Sequence, residues 1–318
     1  MDYLYHYCSN QKCFSILNGK TLRLSDIRKS NDYKELSLFY PEILFRIEYF
    51  YNENPFPFFY EGKTDKEAIE LLIRESCDHW ENMFETGAFS NFVVCFSEDG
   101  NSLSQWRGYA DNGKGCCIGF SFDKIKSYCD DTNGVLRLEK VNYVSKDEVD
   151  EIINDYSKMV LDELSGLRSW IVSEMTHDDN DPDTDGLLGF NFDGALESIF
   201  IESLKYKMLP FLDEKEWRVF FSNRIYKDVD WLCGSYEELS GPKCFNETTN
   251  FLRNKIEFNI LDNDIIPYYP LNFSDDLNFI KELWIGPKSI ILKSDIDLYM
   301  GRNGYKDVSI NFSDITYY

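Results

Sequence analysis

Histidine, paired cysteine, basic charge and long apolar runs are what this chain has least of. Its 318 residues include three histidines, all far apart in sequence, which makes a His-rich metal centre hard to build. Nine cysteines are scattered without a recurring C-x-x-C pair, and Cys8 and Cys13, though His6 is near, have no second Cys or His pair close by in sequence. No metal is therefore expected, and reduced thiols in a cytosol are. No G-x-S-x-G elbow, Walker loop, dinucleotide glycine fingerprint or H-E-x-x-H stretch occurs, so hydrolase, P-loop and zinc-protease readings lose their sequence support. The start, Met-Asp-Tyr-Leu-Tyr-His, carries no basic and apolar signal region, and no run approaches membrane-spanning length. A soluble, cytoplasmic protein is the expectation. Basic side chains are outnumbered 33 to 56, for a net charge of -23. Such a surface repels phosphate backbones and anionic membranes, so neither non-specific nucleic acid nor a membrane is an expected partner. A single nucleotide is still admissible, because one arginine in a pocket can hold a diphosphate.

What the chain has in quantity is aromatic and apolar side chains: 25 Phe, 21 Tyr and 6 Trp, with a hydrophobic fraction of 43%. That suffices for a core and excludes disorder. Strand patterns fall at Tyr3–Tyr7, Thr21–Ser25, Val135–Tyr143, Glu214–Phe221, Ile256–Ile260, Ile280–Ile285 and Val308–Phe312. Helical stripes run through about 35–51, then Ile69, Leu72, Ile73, Trp80, Met83 and Phe84, then Val149 to Leu164, and again from Asp193. Ser145 with Glu148 and Thr64 with Glu67 have the spacing of capping boxes. Thr176 to Gly186 reads as an acidic loop; it opens like a calcium loop, but its twelfth position is Phe192 where a bidentate glutamate is required. With no repeat and no convincing linker, the pattern predicts one α+β domain over 1–318, built on a mixed β-sheet, with helical insertions at about 35–87 and 145–208.

The centre of the chain is Asn91–Ser97, then Asn101–Tyr109, then Gly115–Phe122. Val93 to Phe96 is an apolar run suited to a strand buried on both faces, and Ser97 is the first hydroxyl at its end. Trp106 and Tyr109, three apart, share a face if the intervening segment is helical. A hydroxyl and two rings at the exit of a core strand suit a pocket for a flat ligand, though an aromatic pair there also suits plain core. Glu214, Glu216 and Arg218 alternate, so a strand would project all three to one face. Two readings follow. Arg218 neutralises both carboxylates in a surface ladder, or one carboxylate faces a cleft and stabilises developing positive charge.

The order histidine on the first strand, serine at the end of a middle strand and glutamate on a late strand resembles ADP-ribosyltransferase-like folds, through His6, Ser97 and Glu216. The resemblance implies NAD in a cleft between two small sheets. His6 would bond the adenosine ribose, Ser97 would steady the nicotinamide side, and Trp106 or Tyr109 would stack on the nicotinamide ring. Glu216 would hold the nicotinamide ribose and the oxocarbenium-like centre, with Glu214 orienting an acceptor. Asn31 and Arg218 complete the cofactor-binding set. A second resemblance rests on Leu4–Tyr7, Asn31-Asp32 with Glu35, Cys95–Ser97, Trp106 with Tyr109-Ala110, Lys114-Gly115 with Ile118–Phe120, Glu214–Arg218 and Ile285–Pro287. These are similar to the successive motifs of a bacterial family, domain-of-unknown-function family 2971, apart from Tyr33, where a proline is expected. The expected activity is ADP-ribosyl transfer or NAD glycohydrolysis, which would suit a toxin or anti-phage effector. The alternatives are a non-catalytic nucleotide sensor and a protein-interaction module.

Overall fold

Each strand lays alternate side chains on opposite faces, so the register of the sheet decides which residues can meet. A computed structural model describes residues 1–29, 38–40, 42–86, 89–132, 135–174, 182–224, 255–261 and 264–316. In chain order the strands are β1 (Tyr3–Cys8), β2 (Thr21–Asp26), β3 (Phe59–Tyr60), β4 (Lys63–Thr64), β5 (Phe89–Ser97), β6 (Cys116–Ser121) and β7 (Arg137–Lys140). They continue with β8 (Asn142–Val144), β9 (Tyr206–Met208), β10 (Glu216–Arg224), β11 (Glu257–Leu261), β12 (Asp264–Asn272), β13 (Ile280–Ile285) and β14 (Ser309–Phe312). The helices are α1 (Asn10–Gly19), α2 (Glu42–Glu53), α3 (Asp65–Thr86), α4 (Leu103–Gly108), α5 (Phe122–Asp130), α6 (Lys146–Glu174), α7 (Pro182–Ser203) and α8 (Lys293–Arg302).

The chain divides into two compact units. The first takes residues 1–30, 90–141 and 210–318. Its sheet runs β11-β12-β2-β5-β1-β6-β13-β14, with β10 against β5 and β7 against β10. β5 with β1 and β2, β6 with β1 and β13, β12 with β2 and β11, and β10 with β7 are antiparallel, whereas β13 with β14 is parallel, which makes the sheet mixed and the fold α+β. β5 is the branch point: it meets β2 through Phe92 and Val93, β1 through Ser97, and β10. The two separate small sheets implied by the ADP-ribosyltransferase resemblance are thus joined here, through β5, into one hydrogen-bonded sheet. One face is covered by α1, α5 and α8, whose Cys13, Leu17, Ile125, Ile296 and Met300 close a core with Leu4, Phe92, Val94, Phe96, Ile118 and Leu283. Ser9 starts α1 by accepting from the Lys12 amide, as a helix N-terminus requires.

The second unit, 31–89 and 142–209, comprises the two stretches that the sequence marks as helical insertions. Its helices α2, α3, α6 and α7 bury Ile43, Ile47, Ile69, Leu72, Trp80, Ile153, Val160, Leu196 and Phe200, the apolar positions of their stripes. The Ser145–Glu148 capping box forms in both directions, with the Glu148 carboxylate accepting from the Ser145 amide at 2.7 Å. The Thr64–Glu67 box does not: Asp65 has φ 51°, and its carboxylate instead accepts from the Phe58 amide.

Two further expectations are corrected. The strand expected over 135–143 is broken at Val141 into β7, which pairs with β10, and β8, which pairs with β9. The part of the acidic loop from Pro182 onward is helical, and Phe192, the residue that disqualifies a calcium loop, is a core side chain. Asn31, Asp32, Tyr33, Glu35 and His177 lie outside the described residues. Among those described, no helix is long and apolar enough to cross a membrane, and no group of His, Cys, Asp and Glu is arranged to hold a metal ion.

Candidate functional site

On the sheet face away from α1 and α5, register lines up a row of side chains. Glu282 on β13 sits opposite Gly119 on β6, Gly119 opposite Tyr5 on β1, and Tyr5 opposite Ser97 on β5. Directly opposed residues share a face. β10 continues this face: its residues Val219 and Phe221 enter the core with Phe92 and Phe96, so Glu216 and Arg218 point the other way. The Glu98 amide donates to the Lys215 carbonyl at one end, and Ser222 Oγ bonds Asn91 Oδ1 at the other, so β5 and β10 run antiparallel. Ser97, Glu216 and Arg218 therefore do belong to one face.

His6 does not. It falls between Leu4 and Cys8, both in the core, and its ring stands edge-on to Phe96 at 6.0 Å. Nδ1 is 3.0 Å from the Cys95 carbonyl, which can only accept, so that nitrogen carries the proton. Burial pushes the His6 pKa down from 6.5; the Cys95 bond opposes this and the charge of Lys12 adds to it. His6 is a neutral side chain on the wrong face to meet Ser97 and Glu216. Tyr5, one residue earlier, is the β1 side chain that stands beside Ser97.

Ser97 is 2% exposed, and its hydroxyl is already committed. It donates to the Glu214 carbonyl at 2.7 Å and accepts from the Asp99 amide at 3.2 Å, latching the end of β5 to the segment before β10. Glu216 and Arg218 are 4% and 1% exposed. Arg218 Nε donates to Glu216 Oε1 at 2.8 Å and Nη2 to Oε2 at 3.2 Å, a two-pronged charge-assisted contact. Across from Arg218 on β7 stands Glu139. The ladder reading thus applies to these two residues, in a buried rather than a rim setting.

Glu214 departs from the alternation that the sequence suggests. β10 begins at Glu216, Lys215 has the left-handed φ of 46°, and Glu214 closes the 3₁₀ turn Leu209–Glu214. A non-glycine residue in that region is strained, a condition found at ligand sites more often than elsewhere. The turn carries the half-buried Glu214 carboxylate to Tyr109, whose hydroxyl donates to Oε1 at 2.9 Å. Tyr109 is 44% exposed. Trp106 and Tyr109 part company because α4 ends at Gly108, and Tyr109 has φ -121° and ψ -18°. Trp106 is fully buried, edge-on to Tyr7 at 4.9 Å, with its indole N–H donating to Asn101. Trp106 is a core residue and cannot stack on a ligand.

Two residues of the face escape a reading centred on His6. Tyr5 donates its hydroxyl to Glu282 Oε2 at 3.0 Å, and Trp284 Nε1 donates to the same oxygen at 2.8 Å. Burial and the adjoining Glu282 carboxylate hold the Tyr5 hydroxyl far above its ordinary pKa. Gly119 makes room for this pair, since a Cβ there would come within 2.9 Å of Glu282 Cβ and 3.1 Å of the Tyr5 ring. Parity along β1 was the available signal for Tyr5; nothing local in sequence marks Glu282 as its partner.

Comparison with known proteins gives one match. Residues 105–219 match the model of a family described as "Protein of unknown function (DUF2971)". The match takes in three of the seven motifs, those of Trp106–Ala110, Lys114–Phe120 and Glu214–Arg218. No curated protein and no solved structure matches the chain.

Proposed function

For a chain whose residues 105–219 match the DUF2971 family model, we propose a nucleotide-directed role: binding of NAD and cleavage or transfer at its glycosidic bond. In this reading Glu214, not Glu216, is the carboxylate that meets the sugar cation, and Tyr109 is the ring on which nicotinamide stacks. The supporting observation is the Tyr109 hydroxyl bonded to Glu214 Oε1 at 2.9 Å, an exposed ring coupled to an oriented carboxylate on a strained turn. An oriented carboxylate beside a developing oxocarbenium ion is how glycosidic bonds are commonly broken. Ser97 positions Glu214 by bonding its backbone carbonyl. Glu216 anchors Arg218.

The test is nicotinamide release from NAD, followed by chromatography. Wild-type protein should release nicotinamide, and Glu214→Gln should lower the rate about a hundredfold or more, the scale on which a transition-state charge partner acts. Absence of turnover in the wild type removes the catalytic reading.

The buried pairing of Glu216 with Arg218 favours a second reading, in which the same face only senses a nucleotide or a protein partner. Calorimetry with NAD giving saturable heat, but no nicotinamide over long incubation, would select it.

A further inference from the structure

We propose that Glu282, with the rings of Tyr3, Tyr5 and Trp284 around it, binds the head of a primary alkylammonium ion. This does not rest on the nucleotide reading: Glu214 and Tyr109 take no part in it, and the ligand carries no nucleotide.

Register builds the cluster. Glu282 and Tyr5 both lie opposite Gly119, and Tyr3 and Trp284, two residues from Tyr5 and Glu282, project to the same face. Because Gly119 has no side chain, Tyr5 crosses β6 to reach Glu282. Gly100 holds the same ring from another side, since a Cβ there would come within 2.5 Å of it. Tyr3 stands edge-on to Tyr5, with centroids 6.5 Å apart and planes at 85°. All four residues are half-buried, so solvent, and with it a ligand, reaches them.

The carboxylate has hydrogen bonds but no counterion among the described residues. Both bonds come from neutral donors, the Tyr5 hydroxyl at 3.0 Å and the Trp284 indole at 2.8 Å, and both end on Oε2. No described residue donates to Oε1, and no described lysine, arginine or histidine pairs with Glu282. Asp26, Glu98 and Glu216, in contrast, close on Arg28, Lys140 and Arg218. Two donors on one oxygen thus fix the group and leave the other oxygen to accept. A carboxylate partly withdrawn from water is stabilised by an opposite charge, and the faces of tyrosine and tryptophan attract cations as well. A divalent metal would need further oxygen ligands, which rings do not supply. An ammonium on an apolar stem uses both features, its N–H groups on Oε1 and its charge and methylenes against the rings.

The probe is n-butylammonium, with n-butanol as its uncharged counterpart, followed by saturation transfer from protein to ligand protons at constant salt. Saturable binding of the amine in preference to the alcohol is expected. Glu282→Gln keeps the shape of the group and should weaken the amine about fivefold or more. Tyr3→Leu should weaken it about two- to fivefold, and Tyr3→Phe, which keeps a ring, should bind as the wild type does. Glu163→Gln removes one negative charge at an exposed position of α6 and should leave binding unchanged, which separates the site from the general attraction of a chain of net charge -23. Nα-acetyl-lysine amide presents the same head on a peptide unit: tighter binding than butylammonium assigns the head to a protein side chain, weaker binding to a small amine. No saturable binding, equal binding of the alcohol, or an equal effect of Glu163→Gln would each overturn the proposal. Circular dichroism checks that the variants fold; should Glu282→Gln not fold, the Tyr3 pair decides, and Leu binding as tightly as Phe would refute it.

Discussion

Replacing Arg218 by Met tests whether the polar face of β10 is a built ion pair. The variant removes a guanidinium that is 1% exposed and leaves the Glu216 carboxylate, 4% exposed, without the two N–H groups at 2.8 and 3.2 Å. Breaking a buried pair from one side costs about 3–5 kcal/mol, because a charge is stranded where water cannot solvate it. At about 2–4 °C per kcal/mol for a domain of 150–250 residues, the melting temperature should fall roughly 6–20 °C. The double variant Glu216→Leu/Arg218→Met removes both charges of this pair, and apolar replacements of buried pairs are close to neutral or stabilising. It should therefore recover to within about 1 kcal/mol of wild type. Scanning fluorimetry ranks the melting temperatures, and urea titration with far-UV circular dichroism checks that each variant starts folded. If Arg218→Met melts with the wild type, or the double variant is no better than the single, the pair is not the coupled buried unit described above.

Stability should also report His6. Its folded pKa lies below the 6.5 of the unfolded chain, so on acidification the unfolded state takes up the proton first; stability is highest above 6.5 and falls as pH drops below it. Urea midpoints across that window should slope in the wild type and flatten in His6→Asn. Gly115→Ala should prevent folding or cost several kcal/mol, since its Cβ would meet the Cys8 carbonyl oxygen at 2.2 Å, whereas exposed Gly166 in α6 has nothing within 4 Å and Gly166→Ala should stabilise by up to about 1 kcal/mol. Thermal melts separate the two. Alkylation of the native protein with iodoacetamide, read by peptide mass spectrometry, should label exposed Cys95 well before buried Cys13, Cys116, Cys117 and Cys129; equal labelling would contradict the β5 and β6 packing.

Much of the secondary structure was legible because local patterning and burial agree. Ile280–Ile285 is read and found with the same bounds, and the apolar run Val93–Phe96 is indeed at the centre of the sheet. The Ser145–Glu148 box forms as its spacing predicts, whereas the equally spaced Thr64–Glu67 box is pre-empted by the left-handed Asp65. The candidate site was legible only in part. Ser97, Glu216 and Arg218 do share a face, but His6, named through the ADP-ribosyltransferase resemblance, lies on the other one, and Tyr5 stands opposite Ser97. For Trp106 the sequence leaves ligand stacking and plain core both open, because it does not show what lies over an indole; the structure puts it in the core.

Composition, capping and periodicity fixed the strands, the helical stripes and the acidic character of this chain, since each depends on residues near one another along the backbone. Only the tertiary structure decided that Tyr5 and not His6 stands by Ser97, that Lys215 turns Glu214 toward Tyr109, and that Glu216 closes on Arg218. Those outcomes depend on register across strands up to 277 residues apart, as in the Tyr5–Glu282 bond, and on one left-handed residue. Neither is encoded in any short window of the sequence, because pairing is settled by the free energy of the whole packed sheet.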